Sequence, residues 1–312
     1  MRRRRKKKQR RTTKYIGRSS YCSPFSQHIL SLPPNPRAFM GFVVDFVNPV
    51  LFEIGSFKLY TYGFFLAMAF LVTQKMLEIE FRRHNIETDT TNILIAAAVG
   101  GIVGAKLHYV LTWDADALFD MNVGLSFQGG LLGGAIVVAA YIKYTGENVG
   151  IAAEDVGPLM PLGHAIGKLG CFFSGDGCYG GPTSLPWGMS FPHGLNPTKK
   201  FVHPAPLYEF IVSFSIFAYF YLTTRNIPLK NRKPWDVFTR VLTVMCLSRI
   251  IVELWRDHDI IVSLGPLGGI NQYQLFAVVA AILVQIARWI ISRTLWKSKK
   301  VATTSGSSKK NN

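Results

Sequence analysis

The sequence predicts an all-α, polytopic membrane protein, a bundle of about seven transmembrane helices with a Gly-rich segment on its exterior, periplasmic side. Of the 312 residues, 49% are hydrophobic and only 17% are charged, whereas a soluble domain carries roughly 25% charged residues. Mean hydropathy is positive. Several apolar stretches approach the length of about 20 residues that a helix needs to cross about 30 Å of hydrocarbon.

Taken in chain order, the apolar windows fall at 62–80, 91–112, 129–143, 151–173, 206–223, 238–255 and 271–292. The second and third are rich in small residues, AAAVGGIVGAK and GGLLGGAIVVAA. Lipid gives helices no hydrophobic reason to associate, so such stretches predict close backbone approach. Lys and Arg collect in FRRHN, YIKYTGEN, TTRNIPLKNRKPWD and SRTLWKSKK, the loops after the odd-numbered windows. The intervening loop WDADALFDMN is acidic. Basic loops stay on the cytoplasmic side, which orients the fold with its N-terminus out and its C-terminus in.

The formal net charge of +17 is concentrated: residues 1–39 hold a dozen Lys and Arg and no Asp or Glu. That segment reads as a basic disordered tail or a leader misassigned to the chain, with Met40 as an alternative start. Residues 40–295 form the transmembrane domain and 296–312 a polar cytoplasmic tail. Beside a membrane body, a polybasic tail predicts anionic lipid rather than nucleic acid as partner. Cys22, Cys171, Cys178 and Cys246 include no CxxC and no Cys/His pairing at zinc-finger spacing, so neither a metal nor a cofactor is expected.

Ionisable side chains inside a span are costly and default to functional hypotheses. Lys106, His108, Glu154, Asp155, His164, Lys168, Glu209, Arg249 and Glu253 all fall within the windows. Lys106 and Glu154 stand near span ends, where snorkelling competes with a buried role. Arg249 and Glu253, four apart, share a helix face and can pair. The planar fork of Arg249 also suits a lipid phosphate.

The most informative stretch is GKLGCFFSGDGCYGGPTSLPWGMSFPHG, where a span dissolves into a Gly-rich run carrying Lys168, Ser174, Asp176 and Tyr179. Irregular backbone at membrane depth is tolerated only against protein or a watery cavity. Its N–H groups can form an anion-binding nest, with Lys168 adding a point charge. Cys171 and Cys178 flank FFSGDG, either as a disulfide in an oxidising compartment or as small residues of a packed turn. HPAPLYE, residues 203–209, leads into the fifth window through two prolines.

Five of these elements, in order, resemble those of the prolipoprotein diacylglyceryl transferase family, over about Phe42 to Leu295. NPVLFEIGSFKLYTYG resembles its opening, with Tyr62 and Gly63 at the functional Tyr-Gly. SFQGGLLGG resembles its HGG element, the Gly-rich run its GR, LGNF and NGE signature, HPAPLYE its HPSQLYE, and SRIIVELWR its FRIIVEFFR. The chain departs from the family where His becomes Gln128, Arg becomes Lys168, two Asn become Cys171 and Ser174, Glu becomes Asp176, and a Tyr becomes Met245.

The resemblance implies a bacterial inner-membrane, multi-pass transferase with its active site toward the outer face. It would move the diacylglyceryl group of phosphatidylglycerol to the lipobox cysteine of a prolipoprotein signal peptide and release glycerol phosphate. The implied catalytic set is Tyr62, Gln128, Asp176, Arg249 and Glu253. Lys168, Gly170, Cys171, Ser174, Gly180 and Arg249 would bind phospholipid. Gln128 cannot act as a base; His203, or the departing phosphate, would take the thiol proton. The alternative is a relative that binds phospholipid or lipoprotein without the chemistry.

Overall fold

A computed structural model of the protein describes residues 41–112, 126–228, 231–256, 260–263 and 269–308. The basic segment 1–39, the acidic loop 113–122 and residues 309–312 lie outside them. The order of elements is β1 (Phe42–Val43), β2 (Val50–Ile54), β3 (Phe57–Tyr60), α1 (Thr61–His84), α2 (Thr90–Thr112), α3 (Phe127–Tyr144), α4 (Val149–Ser174), β4 (Met189–Phe191), β5 (Thr198–Val202), α5 (Ala205–Thr224), α6 (Asp236–Val252), β6 (Ile260–Ser263), β7 (Gly269–Asn271) and α7 (Gln272–Ser308). Each apolar window became a helix. The sixth ends at Val252 and tightens into a 3₁₀ turn, Glu253–Trp255, rather than running on to 255 as one helix.

By length and composition, α2, α5 and the Tyr273–Arg293 part of α7 can each cross a membrane. Their outward faces fit that setting. Ile95, Ile102 and Val103 on α2, Leu132 and Ile136 on α3, and Ile282 and Leu283 on α7 are exposed, while Glu154, Asp155, Glu209 and Glu253 are buried. In water this distribution would carry a large aggregation liability; in lipid it places apolar surface against apolar solvent.

The small-residue expectation is met where α2 crosses α3. A Cβ on Gly104 would come within 2.7 Å of the Gly133 Cα and would strike the Gly129 carbonyl, and one on Gly100 would lie 2.7 Å from the Gly133 carbonyl. Only hydrogen fits between these backbones.

Helix α4 is the central post. Leu159 and Leu162 join Leu77 and Phe81 of α1 and Phe217 of α5 in one core, and Ile216 and Phe220 of α5 pack on Val237 and Val241 of α6 in another. The cytoplasm-facing end expected from the basic loops is tied by polar contacts: Asp155 meets His84 at 2.8 Å and Arg232 at 3.0 Å, and Tyr221 donates to Glu80 at 2.9 Å. Glu154 does not snorkel; fully buried, its carboxylate accepts the Val237 N–H at 3.0 Å and so caps α6. The opposite end carries a small head, in which β1 runs parallel to β4, β4 antiparallel to β5, and β2 with β3 makes a hairpin turning at Gly55.

Candidate active site

At the head end of the bundle, α4, α5 and α6 bring cations onto one buried carboxylate. HPAPLYE builds its position: Pro204 caps α5, Pro206 occupies the first turn, where a missing N–H costs nothing, and both are buried. Five residues on from Pro204, Glu209 points into the bundle with 3% of its side chain exposed.

Lys168 Nζ lies 2.6 Å from Glu209 Oε2, Arg249 Nη1 lies 2.9 Å from Oε1, and Arg256 Nη2 lies 2.5 Å from the same Oε1. His164 Nε2 stands 3.7 Å from Oε2 and is steered by the Ser213 hydroxyl, 2.8 Å from its Nδ1. The pairing expected between Arg249 and Glu253 is present at 2.9 Å, and Asn271 donates to Glu253 at 3.3 Å. The Arg249 guanidinium also lies 5.8 Å from the centre of the Tyr273 ring, within cation–π range. Among the described residues, three cations thus converge on two buried carboxylates.

The Gly-rich run folds over this cluster. Helix α4 ends at Gly175, whose φ of 59° closes a left-handed cap, and Gly177 at φ 89° turns the chain again. Gly180 N–H donates to the His203 carbonyl at 2.8 Å and Gly181 N–H to the Trp255 carbonyl at 2.9 Å, joining the run to the entry of α5 and the exit of α6. A Cβ on Gly180 would lie 2.7 Å from the His203 Cβ and collide with the Trp255 carbonyl, so glycine permits that junction. Gly170 likewise lets α1 approach, since a Cβ there would meet Phe65 Cβ at 2.8 Å and Tyr62 Cδ2 at 3.5 Å. That contact places Tyr62 at the head end.

The remaining expected residues have visible local roles. Ser174 donates to the Cys171 carbonyl at 3.3 Å. Asp176 accepts the Cys178 N–H at 3.0 Å, and burial first, then the Cys178 thiol, push its carboxyl up to about 6. Cys171 and Cys178 are not joined by a disulfide. Gln128 receives the Ser126 hydroxyl at 3.1 Å at the start of α3. Across the seam, His108 faces Gly129, and its buried Nδ1 has no hydrogen-bond partner among the described residues. Met245 packs on the core shared by α5 and α6. His203 Nδ1 lies 3.2 Å from the Tyr208 hydroxyl, which also accepts from Trp187 Nε1 at 2.9 Å. Burial holds the His203 imidazole below its ordinary pKa.

Residues 49–291 match the family model described as prolipoprotein diacylglyceryl transferase. The chain belongs to the prolipoprotein diacylglyceryl transferase family. Among curated relatives, the phosphatidylglycerol–prolipoprotein diacylglyceryl transferase of Clostridium tetani is 32% identical over 218 residues, 67% of this chain and 86% of that one. The proteins of the same name from Leptospira interrogans serogroup Icterohaemorrhagiae and Legionella pneumophila strain Paris are 30% and 28% identical, spanning 71% and 79% of this chain and 80% and 98% of theirs.

Arg256 and Tyr273 escaped the reading of the sequence, and Glu209 was read without its partners. Arg256 lies beyond the sixth window, where a lone basic residue resembles any loop charge. The available signal was its place as the last residue of SRIIVELWR, the element that resembles the family's FRIIVEFFR.

Proposed function

We propose that this chain is a phosphatidylglycerol–prolipoprotein diacylglyceryl transferase. Residues 40–295 would form the transferase body, crossing a bacterial inner membrane seven times, with the Glu209 cluster toward the outer face. Support for seven crossings comes from the alternation of basic loops with the head elements along the chain.

The observation that carries the reading is the convergence of Lys168, Arg249 and Arg256 on Glu209 beneath the Gly-rich run. Cations gathered there suit the negative charge of a phosphodiester. In the reaction, the lipobox thiol attacks the glyceryl carbon next to the phosphate oxygen, a C–S bond forms, the C–O bond breaks with its electron pair going to glycerol phosphate, and the thiol proton passes to that phosphate. Negative charge therefore grows on the phosphate, where preorganised cations lower the barrier most.

Arg249 would hold two phosphate oxygens through its fork, with Glu253 and Tyr273 fixing its plane. Lys168 would supply a point charge, and the Gly-rich backbone and Tyr62 would orient the glycerol hydroxyls. Phosphate is a better proton acceptor once the C–O bond has broken, and takes the thiol proton as it leaves. Expression in bacteria depleted of their own diacylglyceryl transferase tests the reading. Restored growth and lipidated lipoprotein are expected; a membrane-inserted chain that leaves prolipoprotein unmodified would instead be a relative that binds lipid without the chemistry.

A further inference from the structure

The two cysteines on either side of FFSGDG do not stand at the short C-x2–4-C spacing of zinc fingers, yet the fold brings them onto a third donor. The Sγ atoms of Cys171 and Cys178 and a carboxylate oxygen of Asp176 all lie within 4.8 Å of one another. The left-handed cap at Gly175 and the turn at Gly177 produce this meeting by sending the chain back over the last turn of α4. A Cβ on Gly175 would lie 2.8 Å from Val47 Cγ1, and one on Gly177 2.6 Å from Asn196 Nδ2, so neither turn has room for a side chain. Asp176 is further held through its Oδ1 by the Cys178 N–H and through its own carbonyl by Asn196 at 2.5 Å.

We propose that Cys171, Asp176 and Cys178 form a binding site for a thiophilic divalent cation of the zinc class. Two thiolates and one carboxylate favour zinc over magnesium or calcium, which select all-oxygen sites. Zinc–sulfur bonds of about 2.3 Å and zinc–oxygen bonds of about 2.0–2.2 Å set tetrahedral ligand atoms roughly 3.5–3.8 Å apart, so closure needs a contraction of at most about 1 Å, within the range of side-chain rotation. The end of α4 adds the negative pole of a 26-residue helix, which favours a cation and disfavours an unscreened pair of thiolates.

The other convergent triad, Glu80, His84 and Asp155, carries no such site, because Arg83 and Arg232 already neutralise its carboxylates. Three protein ligands leave one tetrahedral position open, the arrangement of a reactive rather than a structural zinc. Lys168 lies one helical turn before Cys171, and the fourth ligand at the open position would be a substrate thiol. That last step rests on the transferase reading, whereas metal binding is measured without it.

The test uses the full chain, purified in detergent under reducing conditions and titrated with Co²⁺ and then Zn²⁺. A thiolate-to-cobalt charge-transfer band that saturates at one equivalent and is displaced by zinc is expected. It should vanish in Cys171→Ser and Cys178→Ser and persist in Cys22→Ser and Cys246→Ser. Asp176→Asn keeps the shape of the side chain and serves should the cysteine variants fail to fold. Its affinity should fall at least about tenfold, since even outer-shell partners are worth about 10–100-fold. The proposal is overturned by a reduced wild-type chain without the band, by a band that survives loss of both cysteines, or by a Cys171–Cys178 disulfide whose reduction leaves no metal affinity.

Discussion

Lys168 and Arg249, on two different helices, reach different oxygens of the same buried carboxylate: Lys168 Nζ is 2.6 Å from Glu209 Oε2 and Arg249 Nη1 is 2.9 Å from Oε1. Glu209 is thus the counter-ion that permits three cations to stand together inside the bundle. Its replacement by Ala should destabilise the protein by about 3–5 kcal/mol, the range for breaking a buried ion pair from one side. Glu209→Gln, which keeps the volume, should retain the fold at lower stability and lose most activity. Thermal unfolding in detergent, followed by intrinsic fluorescence beside a transfer assay, separates the two outcomes.

The two cations should respond differently to exchange. Arg249→Lys keeps the charge but cannot serve Glu209, Glu253 and a phosphate at once, so a clear loss of activity is expected. Lys168→Arg installs the residue of the family pattern and should be tolerated. Truncating either to Ala should cost about 2–5 kcal/mol of transition-state stabilisation, as for removal of one partner of a buried, hydrogen-bonded charge pair. Full activity in both Ala variants would remove the cluster from the mechanism.

Across the seam between α2 and α3, His108 offers an imidazole beside the turn where the family pattern has His and this chain has Gln128. His108→Ala should therefore lower transfer further than Gln128→Ala. Equal effects, with both variants monodisperse by gel filtration, would leave the imidazole no special part.

The same seam has no space for side chains. Gly104→Leu should prevent α2 from seating against α3, because even a Cβ there lies 2.7 Å from the Gly133 Cα. Aggregation or loss of the folded peak on gel filtration is the expected result, whereas substitution at Gly63, where a Cβ would meet nothing within 4 Å, should be mild.

For His203, burial lowers the folded-state pKa below the unfolded one, so the neutral ring contributes stability above the unfolded value of about 6.5, and this contribution is lost as pH falls through the folded pKa. NMR titration of labelled histidines should find its midpoint lower than that of a free imidazole. A midpoint above about 6.5 would mean that the contact with Tyr208 favours the charged ring.

The helices were legible because an apolar run of that length is a local property, and the Arg249–Glu253 pair because four residues make about one helical turn. What joins Glu209 to Lys168, Arg249 and Arg256 is the packing of three helices, to which no local window is sensitive. The head was similarly hidden: only the parallel pairing of Phe42 and Val43 with Met189 and Ser190 makes that short segment a strand. For Glu154 the sequence left snorkelling and a buried role open, because its partner, the Val237 N–H, is a backbone group that no side-chain pattern announces.

The transferase account is tested most directly by giving the purified chain phosphatidylglycerol labelled in its diacylglyceryl part, together with a lipobox peptide. Label should appear on the peptide cysteine as a thioether, with one glycerol phosphate released per peptide modified, and none should appear on a peptide carrying Ser at that position. A folded, monodisperse chain that binds the lipid yet transfers no label to the cysteine would contradict the account.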